Sequence, residues 1–413
     1  MSALKNTADE SVSARQRAAV LRAQVRAFHA QEMPEKLKRK SGQHQVLDKA
    51  DYVQWMQLLH GKGWAIAHWP RDHGGQDWSL LERFAFEDEL ARLGCPWILP
   101  FGVKYVGPVI CAYGTTAQQQ RFLPRIASSE DFWAQGYSEP GAGSDLAALS
   151  TFAQRRGERY IVNGQKVWTT YAQWADWMFC LVRTQREARA QQGISFLLVD
   201  MHSPGVTVRP IATMDGYHHV NEVWLQDVDV PLENLVGEEG MGWTYAKFLL
   251  KNERTAGAIV GMVWHAVERL WLAADEAGRQ AGRLGGRQGE RQGDPALMHR
   301  IGELQLRAQA LEAMAYRGIE AMMAGTDHGA EASLIKLRGT ELYQAVAEAL
   351  IDVLGPAGVA FDVAALHAAS APPLGPDDAG GLIKDHLYNR AATIFGGASE
   401  IQRNIVAKTV LGL

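Results

Sequence analysis

Apolar residues in the first part of the chain recur at helical spacing, as with Val20, Leu21, Val25 and Phe28 in the segment from Ala14 to Ala30. That spacing predicts an amphipathic helix there, and Phe84, Phe86 and Leu90 predict another from Leu80 to Leu93. The Gly/Pro/Trp-rich run between them, Gly61 to Trp78, reads as a loop. From residue 133 onward the period shortens to short β-type runs: Arg159 to Val162, Trp177 to Val182 and Ile194 to Val199. Each is bounded by Gly, Asn, Asp or Pro, which predicts a small barrel or sandwich. After Gly242 the helix formers Ala, Leu, Glu and Arg dominate from Ala246 to Ala277, Pro295 to Met323 and Ala330 to Val353, as in a bundle of long antiparallel helices. The pattern predicts an α+β multidomain chain: an N-terminal helical domain over 1–132, a central β-barrel or sandwich over 133–235, and a C-terminal four-helix bundle over 236–413.

Three stretches break the pattern. Glu35-Lys36-Leu37-Lys38-Arg39-Lys40 reads as a solvated, flexible charged face. The segment Gly278 to Gly293, with Arg279, Arg283, Arg287 and Arg291 among its glycines, reads as an exposed basic loop. A Pro/Gly-rich excursion covers Ala369 to Gly381.

Composition narrows the function. A chain of 413 residues is too long for one hydrophobic core, and its 47% apolar share suffices for two or three. A net charge of -4 gives no global pull toward nucleic acid or an anionic membrane. Cys95, Cys111 and Cys180 stand without a CxxC pair and read as free thiols of a reducing compartment, with no metal site or disulfide framework. Asp9 and Glu10 spoil a basic leader, and no run of about 18 apolar residues predicts a membrane span. The expectation is a soluble cytoplasmic protein.

The candidate chemistry sits in two short segments, Tyr137-Ser138-Glu139-Pro140-Gly141-Ala142-Gly143-Ser144-Asp145 and Asn163-Gly164-Gln165-Lys166-Val167-Trp168-Thr169-Thr170. Glycines let backbone N–H groups approach a pyrophosphate, the hydroxyls of Ser138, Ser144, Thr169 and Thr170 can hydrogen-bond, and Trp168 offers a flat face to a ring. Taken alone, the first segment could equally be a Gly-rich turn entering a hairpin. Trp168 could likewise be a core residue and Ser144 a turn cap.

Together the segments resemble the flavin-binding strands of the acyl-CoA dehydrogenase family. Further signatures follow in order: Gly63-Trp64 with Trp69-Pro70 and His73-Gly74-Gly75, then Asp227 to Pro231 with Asn234, Val236-Gly237 and Gly242-Trp243, then Ile394 to Asn404. The resemblance implies FAD as cofactor, an acyl-CoA substrate, and an electron-transfer flavoprotein as electron acceptor. It implies flavin contacts from Tyr137, Ser138, Gly143, Ser144, Trp168, Thr169, Thr170, Phe395, Gly397 and Glu400, with Ser144 also near the substrate's phosphate or pantetheine groups.

The reaction requires a base for the α proton of the thioester and hydrogen bonds to its carbonyl as charge develops. Many family members carry the base in the tail loop, where this chain has Gly396, which can donate only its backbone N–H. A subset carries it on the first long C-terminal helix, and Lys251-Asn252-Glu253-Arg254-Thr255 resembles that arrangement. Glu253 is then the base and Arg254 a contact to the CoA portion, although each could also be a helix-surface charge. Glu400 is the second-choice base.

Two departures bear on assembly. Homotetrameric relatives bind the ADP part of a neighbour's FAD with Arg-x-x-Phe-Gly and Gln-x-x-Gly-Gly-x-Gly segments. Here the first is replaced by the basic loop, and the second reads Asp352-Val353-Leu354-Gly355-Pro356-Ala357-Gly358. An Asp beside a pyrophosphate repels it. This favours a heteromer with a second dehydrogenase-like subunit, resembling bacterial assemblies acting on steroid side-chain or dicarboxylic thioesters, over a homo-oligomer. A catalytically silent CoA- or FAD-binding subunit and an acyl-CoA oxidase of the same fold remain the alternatives.

Overall fold

Three helix starts in the N-terminal part of the chain are set by side chains that hold the first free amides. Asp48 with Asp51, Ser79 with Glu82, and Thr115 with Gln118 each form a reciprocal capping box, and losing such a cap costs about 1 kcal/mol. A computed structural model describes residues 2–252, 257–283, 295–326, 330–361, 379 and 381–413. The helices before the sheet are α1 (Ser2–Gln31), α2 (Glu35–Gly42), α3 (Lys49–Gly61), α4 (Leu80–Arg92), α5 (Gly107–Tyr113) and α6 (Thr116–Ala127). Then come β1 (Trp133–Gly136), β2 (Phe152–Arg156), β3 (Arg159–Thr170), β4 (Trp177–Arg183), β5 (Ile194–Asp200), β6 (Val206–Ile211) and β7 (Val220–Pro231). Helices α7 (Gly242–Asn252), α8 (Gly257–Arg283), α9 (Pro295–Met323), α10 (Ala330–Leu354), α11 (Leu382–Asn389) and α12 (Ser399–Val406) follow.

These elements form two compact units, one of Met1–Leu47, Trp78–Trp97 and Thr255–Leu413, the other of Asp48–Asp77 and Ile98–Arg254. The first is helical. Its core joins Leu81 and Phe84 of α4 to Val260, Val263, Val267 and Leu270 of α8, Ile301, Leu304 and Leu311 of α9, and Leu342, Val346 and Leu350 of α10. Helix α8 lies close on α4 because Gly261 has no side chain: a Cβ there would meet the Asp88 carbonyl oxygen at 2.3 Å.

Three expectations change in this unit. The charged run Glu35 to Lys40 is part of α2, which buries Leu37 and Lys40, because its positions 37 and 40 share one helical face. Val20 is 57% exposed while Leu21, Val25 and Phe28 are buried, so the apolar stripe of α1 is one residue narrower than its spacing predicts. Helix α8 extends to Arg283, and Arg279 sits on it paired with Asp275 and Glu276. The rest of the expected basic loop, and nearly all of the Pro/Gly-rich excursion, lie outside the described residues.

The second unit holds one seven-stranded sheet ordered β1-β4-β2-β3-β7-β6, with β5 paired to β4. Its core is built from Tyr160, Val162, Met178, Cys180, Val182, Leu197, Val199, Val223, Leu225, Val228 and Val230. The Trp-rich loop ahead of the sheet is held by its own signature residues. Trp69 donates its indole N–H to the Val103 carbonyl oxygen at 2.7 Å, and the His68 ring lies 3.0 Å from the same oxygen. Val103 belongs to a π-turn, Phe101–Val106, at the entry to α5. Such a turn frees carbonyls from the regular ladder, and Trp69 satisfies one of them.

The Trp69 ring is packed so tightly on α5 that a Cβ at Gly107 would sit 2.3 Å from its Cζ2. Gly107→Ala is accordingly expected to destabilise the fold by about 1–3 kcal/mol in chemical denaturation. Gly42→Ala, where a Cβ meets nothing within 4 Å, should leave stability nearly unchanged. Equal effects from the two would contradict this packing.

Candidate functional site

The geometry of Trp168 follows from a count of residues. Along β3 the even positions Tyr160, Val162 and Lys166 face inward and are fully buried. Continued alternation would bury Trp168 as well. Instead Lys166 pairs with Val223 and Thr169 with Asn221, so three steps on β3 match two on β7. The extra residue is a β-bulge that flips the parity of everything after it. Trp168 therefore turns outward, 59% exposed, and Thr169 turns inward at 1%. Its backbone takes φ +61°, a left-handed conformation unusual for a bulky residue, and Tyr171 follows at φ +53°. An earlier bulge in the same ladder falls on β7, where Asp227 has φ +50° and is tied to Asn163 by two hydrogen bonds.

The two candidate segments lie side by side because of one buried lysine. Lys166 Nζ donates to Glu139 Oε1 at 2.8 Å, to the Leu181 carbonyl at 2.7 Å and to the Tyr137 carbonyl at 3.2 Å. Glu139 accepts in turn from the amide and hydroxyl of Ser150, at 2.6 and 2.8 Å, and from the Thr151 amide at 2.9 Å. Burial alone would raise the Glu139 pKa; the Lys166 charge and these hydrogen bonds overcome it and bring it down to about 2. Val167 N–H closes the contact onto the Ser138 carbonyl at 2.9 Å.

Between these anchors, Glu139 and Ala142 exchange backbone hydrogen bonds around Pro140-Gly141, which makes the loop a tight turn. A Cβ on Gly141 or Gly143 would meet nothing within 4 Å, and neither residue has a positive φ. The fold itself does not require glycine there, and the bare backbone leaves room for a group to approach the loop from outside. Ser144 is exposed and Ser138 half-buried. The Thr169 hydroxyl is buried with no hydrogen-bond partner, which is costly unless a ligand or water supplies one. An open glycine loop and an outward indole on one sheet end fit a flavin.

The tail residues belong to the helical unit. Gly396 and Gly397 have φ +62° and +89°, which favours glycine at both. Lys336 of α10 donates to the Phe395 carbonyl at 2.9 Å and to the Ala392 carbonyl, so an ammonium holds the loop's shape from behind. Phe395 and Gly396 are exposed, and Glu400 sits exposed in the first turn of α12. Glu253 and Arg254 lie outside the described residues. Sequence reasoning missed Glu139, Lys166 and Lys336. The sequence around Lys166, with Gln165 before it and Val167 after, carried no signal of its burial.

The acyl-CoA dehydrogenase N-terminal, middle and C-terminal domain families match residues 15–130, 134–228 and 240–411. Acyl-CoA dehydrogenase IpdE1 of Mycobacterium tuberculosis is 35% identical over 360 residues, 87% of each chain. The solved Tcur3481-Tcur3483 steroid ACAD is similar at TM-score 0.81 and 29% identity, over 96% of this chain and 97% of that one. The ChsE4-ChsE5 complex from Mycobacterium tuberculosis gives TM-score 0.78 at 30% identity, with 97% of each chain covered. Fold and sequence together define an oxidoreductase of helical and β domains. The chain belongs to the acyl-CoA dehydrogenase family, whose cofactor is FAD.

The buried pair makes two measurable statements. Lys166→Met leaves Glu139 buried without its counter-charge and should cost about 3–5 kcal/mol; adding Glu139→Gln should recover part of the loss. The folded pKa of Glu139, about 2, lies below its ordinary 4.5. Its stabilisation is therefore complete above that ordinary value and lost as pH falls toward 2. Urea denaturation across this window should show a steeper fall for the wild type than for Glu139→Gln, and parallel curves would refute the assignment.

Proposed function

We propose that this chain dehydrogenates an acyl-CoA thioester between its α and β carbons to give a trans-2-enoyl-CoA. The reading rests on the outward indole of Trp168, at a strand end joined to an open glycine loop through the Val167 to Ser138 hydrogen bond. Trp168 would cover the flavin ring. Tyr137, Ser138, Gly143, Thr169 and Thr170 would contact it from the sheet, and Phe395, Gly397 and Glu400 from the tail. The chemistry FAD supplies when bound is acceptance of the β hydride, with the electrons then passing to an electron-transfer flavoprotein.

Glu253 takes the α proton. Gly396 has no carboxylate to do so, but its backbone N–H, in a loop held by Lys336, can donate to the thioester carbonyl as negative charge grows there. Arg254 and Ser144 contact the CoA portion. Glu253→Gln should retain the bound flavin's yellow colour yet lose bleaching by acyl-CoA, with kcat reduced by about 10²–10⁴. Unchanged flavin reduction would remove Glu253 from the role.

For assembly we favour a heteromer with a second dehydrogenase-like subunit. Asp352 stands where homotetrameric relatives carry a Gln and forms an ion pair with Arg300 at 2.6 Å; a carboxylate there cannot donate to a pyrophosphate as an amide would. Likeness to the two-protein ChsE4-ChsE5 and Tcur3481-Tcur3483 structures supports the same reading and makes steroid thioesters the first substrates to screen. The chain expressed alone should bind FAD substoichiometrically and gain occupancy when co-expressed with such a partner. A fully loaded, active homo-oligomer would overturn this.

A further inference from the structure

We infer that Asn221 is a positioning residue for the flavin face: its amide ties Thr169 to the residues beyond the Trp168 bulge and so holds Trp168 in its outward presentation. The inference deepens the flavin reading above and rests on it.

A left-handed backbone at two non-glycine residues in a span of four persists only where the surroundings over-determine it. On the N-terminal side Lys166 supplies that restraint. On the C-terminal side only two pairs, Thr169 with Asn221 and Thr170 with Val220, remain before the sheet ladder ends, so backbone pairing gives little support there. Asn221, fully buried, takes over. Its Nδ2 donates to the Thr169 carbonyl at 3.0 Å and to Gln173 Oε1 at 2.7 Å, while Oδ1 accepts from His218 Nε2 at 2.5 Å.

Each partner is itself fixed. Gln173 returns a bond from Nε2 to the His218 backbone carbonyl at 3.1 Å, closing a ring of three residues. Tyr171 N–H donates to the His219 carbonyl at 2.8 Å, and His219 is held by Asp215 at 2.6 Å. Tyr171 then stacks on Trp174 at 4.4 Å and 10°. The histidines at 218 and 219 thus serve as hydrogen-bonded turn residues around the bulge. Losing the Asn221 amide would free the Thr169 carbonyl and Gln173 together, and the bulge would relax toward regular pairing that turns Trp168 inward.

The test uses the full chain with and without FAD. Asn221→Ala should weaken FAD binding about tenfold in a fluorescence titration. In the FAD-free chain it should speed hydrogen exchange at the Thr169 to Ala172 amides by a similar factor. Asn234→Ala is the control. Asn234 is a buried asparagine of the same unit, donating to the Leu198 carbonyl at 3.0 Å, and its loss should lower Tm while leaving affinity and exchange near wild-type values. Should Asn221→Ala fail to fold, Gln173→Ala removes the orienting acceptor at a half-buried site and is expected to move both readouts about threefold. Wild-type exchange and affinity in the Asn221 and Gln173 variants, or equal losses from Asn234→Ala, would overturn the inference. Failure of the wild type to bind FAD would sink the flavin reading instead, and the exchange data in the FAD-free chain would still judge the clamp.

Discussion

The candidate flavin face depends on a single buried ion pair. Lys166 and Glu139 come from segments 27 residues apart, and each fills its remaining hydrogen-bonding capacity with backbone groups of neighbouring strands and loops. Burying two charges is costly, and such a pair is tolerated only when its lone pairs and protons are satisfied. Here the satisfaction is also what shapes the site. The ammonium gathers the carbonyls of Tyr137 and Leu181, while the carboxylate gathers the amides of Ser150 and Thr151. The glycine loop hangs between these anchors with open space in front of it.

That anchoring makes the adjoining bulge possible. A strand held rigidly at Lys166 can accommodate an extra residue immediately afterwards without losing register upstream. The parity flip then turns a tryptophan from core to surface. Strain at Trp168 and Tyr171 is local and is offset by hydrogen bonds on both sides. Structure and chemistry meet in that displacement, because an exposed indole beside an open glycine loop is poor packing and good ligand binding.

Much of this was legible in the sequence. Helical and β-type periods located the longest helices and three strands of the sheet, with α9 over Pro295–Met323 as read, and ordered motifs pointed to the family. What periodicity could not supply was the exception to it. Alternation along β3 would have buried Trp168, and only the pairing register with β7 reveals the bulge. Leu37 and Lys40 hid inside a run of charges because composition outweighed a three-residue spacing, close to one helical turn. Lys166, surrounded in sequence by polar and apolar residues alike, gave no sign that its partner would be Glu139 within the other motif. The tail was clearer: Gly396 visibly lacks a carboxylate, though its support by Lys336 could be found only in three dimensions.

The central claim is that this chain draws a proton and a hydride from an acyl thioester. Anaerobic titration of the FAD-loaded protein with acyl-CoA thioesters, steroid ones included, tests it most directly through the visible absorbance of the flavin and analysis of the released thioester. The account predicts bleaching with at least one of them and an equal amount of trans-2-enoyl-CoA. A flavin that stays oxidised with every thioester, with and without a partner subunit, would contradict it.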